Sequence, residues 1–132
     1  MLPIYKGKDA ALLRSELRFQ YSYSAIDLPR GVIHADLFRD NALFEGDKLC
    51  GIIDFYYACY DVLLYDVAVT VNDWCSLPDG ELDNARMEAC SVAINNNVRL
   101  PLKNVKHGVM LRAVALRFWV SRLKDLHFPR MR

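Results

Sequence analysis

Residues 32–55, VIHADLFRDNALFEGDKLCGIIDF, decide how the rest of the chain is read. An apolar run, Gly31-Val32-Ile33, stops at His34, and polar groups then fill the chain as far as Asn41. Ala42-Leu43-Phe44 follows, then Glu45-Gly46-Asp47-Lys48, then Leu49, Cys50, Gly51, Ile52 and Ile53. Two short apolar runs on either side of a Gly/Asp turn predict a β-hairpin. The segment is therefore expected to run strand, polar loop, strand, tight turn, strand. Antiparallel pairing brings the open ends of a hairpin together. Asn41, at the start of one strand, and Asp54, at the end of the other, then converge beside the loop that holds Asp36. An amide oxygen and a carboxylate are hard ligands of the kind magnesium takes, usually a few protein groups completed by phosphate oxygens and water.

Upstream, Lys8–Ala25 reads as a helix with Asp9 as its N-cap and an apolar stripe of Leu12, Leu13, Leu17, Phe19 and Tyr21. Pro29 and Gly31 break the chain before the strand that leads to His34. Downstream, Phe55–Asp61 is aromatic and irregular. Its tyrosines, Tyr56, Tyr57 and Tyr60, either cover a site or pack under the next helix. Val62–Trp74 is apolar almost all round, which predicts a buried helix. Asp66 is the exception, a carboxylate whose burial requires hydrogen-bond partners. Asp79 or Asp83 is expected to cap a helix reaching about Asn97, with Pro101 confirming its end. A last helix, roughly Val105–Leu126, carries Val109, Met110, Ala113, Leu116, Phe118, Val120 and Leu123 as its apolar positions.

The chain has 132 residues, enough to bury a real core, and one compact domain over 1–132 is expected. Its 53% hydrophobic and 25% charged shares are those of a globular protein. A net charge of +1 argues against nucleic acid as a partner and against a polybasic membrane anchor. MLPIY is no signal peptide, and no run approaches the ~18 apolar residues of a membrane span. The four cysteines, at 50, 59, 75 and 90, form no C-x-x-C pair. They read as reduced thiols of a cytoplasmic protein rather than as zinc ligands.

His34-x-Asp36-x-x-x-x-Asn41 resembles the H-x-D-x-x-x-x-N catalytic loop of kinases, and Ile53-Asp54-Phe55 the segment that replaces D-F-G. Together they resemble the aminoglycoside phosphotransferase and choline kinase-like family. Within it, residues 28–75 and Ala115–Leu123 (ALRFWVSRL) look most like the homoserine kinases of threonine biosynthesis. The resemblance implies an α+β, mainly helical C-terminal lobe of protein-kinase type, with a small hairpin carrying the catalytic and metal residues. It implies transfer of the ATP γ-phosphate to the homoserine hydroxyl, with Asp36 accepting or orienting the hydroxyl proton. Asn41 and Asp54 would hold Mg2+, His34 would pack the loop, and Asp66 would support it. Arg39 either meets transferred phosphate or pairs with Asp40 or Asp36. Arg117, bordering the pocket with Trp119, meets either a substrate carboxylate or a protein one. His107 and His127 are given no function.

No glycine-rich phosphate loop, phosphate-binding lysine or partner glutamate precedes Leu28, and Lys6-Gly7-Lys8 does not replace them. The chain is expected to be a C-terminal lobe lacking its N-terminal nucleotide clamp, as a fragment or a truncated product, with little turnover alone. The alternatives are another small-molecule kinase of this fold, acting on an aminoglycoside, choline or a sugar, or an inactive lobe serving as a binding module.

Overall fold

The computed structural model describes residues 7–23, 27–98, 100 and 105–127, with Val105, Lys106 and residues 125–127 by backbone only. Lys6, Pro101 and the side chain of His127 therefore lie outside the described residues, as does Ala25. The elements are α1 (Lys8–Ser22), β1 (Arg30–Ile33), β2 (Ala42–Glu45), β3 (Lys48–Ile52), β4 (Cys59–Val62), α2 (Leu63–Trp74), α3 (Asn84–Asn95) and α4 (Val105–His127). Single 3-10 turns occupy Arg39–Asn41 and Phe55–Tyr57. This is the expected α+β, mainly helical architecture.

The hairpin forms where its turn chemistry places it. Gly46 takes φ +58°, a conformation that costs glycine nothing, and Glu45 pairs with Lys48 across the turn. The ladder then shifts register between Leu43 and Phe44, so that Leu43 faces Gly51 and Phe44 faces Leu49. Cys50 is the extra residue of that bulge. The second ladder was not expected. Cys59–Val62, read from sequence as irregular chain running into a helix, is a strand antiparallel to β1, with Val32 opposite Tyr60. Gly31 sits where this ladder meets α2, and a Cβ there would lie 2.8 Å from Leu63 Cδ2.

Helix α2 is the centre of the molecule, in contact with β1, β4, α3, α4 and the Arg39–Asn41 turn. Leu64, Ala68, Val69 and Val71 are buried, which needs apolar residues on more than one face of the helix. Leu64 meets Leu100, while Ala68 and Val69 pack on Val114 of α4. Full burial of a side chain such as Leu64 or Val69 is worth roughly 1.5–3 kcal/mol. Val114, fully buried, is absent from the apolar positions assigned to the last helix from sequence.

The outer helices differ from expectation in two ways. Gly7, not Asp9, is the N-cap of α1, and Asp9 lies within the first turn, where a carboxylate suits the positive end of the helix dipole. Of the predicted stripe on α1, Leu13 is buried but Leu12 and Leu17 stand more than half exposed. At α3 the sequence offered two caps. Asp83 is the one used, accepting from the N–H groups of Ala85 and Arg86, while Asp79 accepts from the Glu81 N–H in the preceding turn.

Apolar exposure gathers on the hairpin side, at Phe44, Leu49, Ile53, Phe55 and Tyr56 among others. The four cysteines are free thiols, and burial raises the pKa of Cys75 and Cys90. Among the described residues no helix is long and apolar enough to cross a membrane.

Two outcomes test this packing. Leu64→Ala is expected to lower the unfolding free energy by about 2–5 kcal/mol in urea titration, the range for a leucine cavity that cannot collapse. The second concerns His107, which is buried, with Nδ1 lacking a partner among the described residues. Burial lowers its pKa. The unfolded chain then binds the extra proton, so stability should fall as pH drops below about 6.5 toward the folded value. Urea midpoints between about pH 7.5 and 5.5 measure that loss, which His107→Gln should reduce.

Candidate active site

Strand β1 delivers the chain to His34, and the backbone then turns sharply. Ala35 has φ +64°, the left-handed region that a Cβ disfavours. It is held there by α2. The Asp66 carboxylate accepts from the His34 N–H at 2.8 Å with one oxygen and from the Ala35 N–H at 2.7 Å with the other. This supplies the partners that a carboxylate inside an apolar helix needs.

The His34 ring links the loop to the far end of the hairpin. Its Nε2 donates to the Ile53 carbonyl at 2.8 Å, and its Nδ1 accepts from the Asp36 N–H at 3.3 Å. Both ring nitrogens are thus engaged in structure, the ring is buried, and it packs on Phe55 at 4.6 Å between centroids. The Ile53 N–H in turn donates to the Asn41 carbonyl at 3.0 Å. Asn41 Nδ2 donates to the Asp36 carbonyl at 2.7 Å, which leaves Oδ1 without a hydrogen-bond partner among the described residues.

Asp54 follows in a second left-handed turn, φ +62°, with its side chain exposed and without a partner among the described residues. An aspartate tolerates this conformation better than most residues. Asp36, Asn41 and Asp54 line one cleft of about 530 Å³, with Asp40, Asp73 and Tyr57. Helix α4 also lines it, through Arg117, Phe118, Ser121 and Arg122. The cleft is therefore bipolar, with carboxylates on the loop side and guanidinium groups on the helix side.

Arg117 meets a protein carboxylate, that of Asp36. Its Nη2 donates to Asp36 Oδ1 at 2.9 Å and to the Ala35 carbonyl at 3.1 Å. Its Nε is buried with no hydrogen-bond partner among the described residues. The guanidinium is instead surrounded by rings, with Phe118, Tyr57 and Tyr65 centred 4.7, 5.5 and 6.0 Å away. Burial raises the Tyr65 pKa, and Arg117 opposes that shift in part.

The profile of the phosphotransferase enzyme family matches residues 6–95. The chain belongs to that family. Among phosphotransferase relatives, it is 50% identical over 130 residues to a homoserine kinase of Methylobacillus flagellatus, covering 96% of this chain and 40% of that protein. A homoserine kinase of Methylobacillus glycogenes is 48% identical over 130 residues, with the same coverage. One from Burkholderia pseudomallei is 49% identical over 142 residues, covering 97% of this chain and 43% of that protein. The chain thus spans about two-fifths of the length of these curated relatives.

Three expectations change. Arg39 pairs with neither Asp40 nor Asp36. Its backbone N–H and its Nε both donate to Asp73, at 2.8 and 3.2 Å. Trp119 does not border the cleft. It faces away, lining a separate depression between α1 and α4 with Leu12, Glu16 and Arg112. Of the three tyrosines, Tyr57 lines the cleft, whereas Tyr56 and Tyr60 are well exposed, so they do not pack under α2.

Three residues of the cleft and its supporting loop were missed in the sequence. Asp73 holds Arg39, Trp74 Nε1 donates to the Leu37 carbonyl at 3.2 Å, and Arg122 lines the cleft. A signal for Asp73 existed. It lies seven residues after Asp66, two helical turns on the same face, where a second carboxylate faces the same loop.

Asp66→Asn replaces one acceptor by an NH2 group facing a backbone N–H. The expected cost is about 1–3 kcal/mol of stability, that of leaving a buried donor unpaired. Hydrogen exchange should show which donor is lost, with the His34 and Ala35 amides exchanging faster than those of β2 and β3.

Proposed function

We propose that this lobe transfers the γ-phosphoryl group of ATP to the hydroxyl of homoserine. The observation that carries the reading is the convergence on one cleft of Asp36 and Asn41, from a loop strapped to the core by Asp66, with Asp54 from the end of the hairpin. The relatives named homoserine kinase support the acceptor. We read residues 1–132 as a single lobe. The remaining phosphate contacts are assigned to an N-terminal lobe outside this sequence, in keeping with the longer relatives.

Phosphoryl transfer depends on positioning and charge neutralisation more than on a strong base. In this reading the Asp36 carboxylate takes the acceptor hydroxyl as a hydrogen-bond donor, orients its oxygen toward phosphorus, and receives the proton as the new O–P bond forms and the bond to ADP breaks. Arg117 occupies Oδ1 of Asp36 and leaves Oδ2 for the hydroxyl. The role of Arg117 is therefore to position the base. Arg39, engaged by Asp73, holds the loop rather than the transferred phosphate.

The donor set fits magnesium. Asn41 is turned so that its amide nitrogen is spent on the loop, and among the described residues neither its oxygen nor the Asp54 carboxylate has a partner. Among those residues no group of three or more His, Cys, Asp or Glu side chains forms a metal cage. Magnesium needs none, since phosphates and water complete its shell. When bound, it neutralises phosphate charge during transfer.

The test is ADP release by the natural polypeptide that contains these residues, with ATP, magnesium and homoserine. Asp36→Ala is expected to lower kcat about 10²- to 10⁴-fold, with the KM for ATP little changed. Asp54→Ala should raise the magnesium concentration needed for half-maximal rate. Full activity in Asp36→Ala overturns the assignment of the base, and preference for choline, a sugar or an aminoglycoside overturns the acceptor.

A further inference from the structure

The α4 wall of the cleft has its own order. Arg117, Phe118, Ser121 and Arg122 face the same space, so the cleft runs along the helix axis. At one end Arg117 is spent on Asp36 and Ala35. At the other, Arg122 is exposed and has no hydrogen-bond or ion-pair partner among the described residues. The five-residue step places Arg122 about 7.5 Å further along the axis. The metal donors, Asn41 and Asp54, stand on the loop side.

From this geometry we infer that Arg122, assisted by the Ser121 hydroxyl, binds the carboxylate of the acceptor and makes the site selective for an amino acid. The inference rests on the phosphotransfer reading above and names which end of the substrate α4 recognises. Homoserine carries its hydroxyl and its carboxylate carbon four bonds apart, at opposite ends of the chain. With the hydroxyl on Asp36, a molecule laid along α4 brings its carboxylate toward residues 121 and 122. A guanidinium presents paired donors that match a carboxylate. Phe118, between the two arginines, offers an apolar surface to the methylene groups.

A phosphate role for Arg122 is the competing assignment, and kinetics separate the two. Steady-state rates with ATP and magnesium are measured for the natural polypeptide and for Arg122→Gln and Arg122→Lys. The acceptors are L-homoserine and 3-aminopropan-1-ol, the same molecule without its carboxylate. Arg122→Gln is expected to raise the KM for homoserine about 10- to 100-fold, as for a lost charge-assisted hydrogen bond, with kcat and the KM for ATP nearly unchanged. The preference for homoserine over 3-aminopropan-1-ol should shrink by a similar factor, and Arg122→Lys should recover part of it. An unchanged homoserine KM overturns the inference, as does a rise confined to the KM for ATP. A natural polypeptide that never phosphorylates homoserine overturns the phosphotransfer reading itself, which is a different result from normal transfer with an indifferent Arg122.

Discussion

Two hydrogen bonds from one carboxylate hold the loop on which the site depends. Asp66 receives the N–H groups of His34 and Ala35 on its two oxygens, and Ala35 is in a conformation that an alanine avoids. Backbone strain of this kind costs of order 1–3 kcal/mol and persists only where the surroundings over-determine it. Here the surroundings are α2, whose other faces are packed into the core at Leu64, Ala68 and Val69. The rigidity of the core therefore reaches Asp36 through two covalently adjacent peptide groups.

The rest of the loop is fastened by the same helix two turns further on. Asp73 takes the backbone and side chain of Arg39, and Trp74 donates to Leu37. From the opposite side Arg117 of α4 holds the Asp36 side chain itself. His34 and Asn41 then couple the loop to the hairpin end through Ile53. Asp36 and Asn41 thus stand on backbone whose polar groups are already paired. Preorganisation of this type lets charged groups act without rearranging at the moment of reaction.

The bipolar cleft also explains why its arginines are not equivalent. Arg117 is half-buried, ringed by aromatic side chains and bound to a carboxylate, so its charge is neutralised inside the fold. Arg39 is more exposed, yet is likewise spent on Asp73. Sequence alone ranks such residues alike, as cations near a catalytic motif. Their partners distinguish them, and those partners lie 81 and 34 residues away.

What the chain order determined was local. The Glu45–Lys48 turn, the halt of the β1 run at His34, the approach of Asn41 to Asp54 and the four helices all follow from turn chemistry and apolar periodicity, which act between near neighbours. The need of Asp66 for partners was equally legible, because a carboxylate in an apolar run must be satisfied wherever the helix packs. What only the tertiary structure decided was long-range. The pairing of β1 with the aromatic 59–62 segment, the choice of Asp73 by Arg39, the burial of Val114 and the outward face of Trp119 depend on how α2 and α4 rotate against each other. A helix with apolar residues on several faces does not specify that rotation by itself. It is set when all the faces are packed at once.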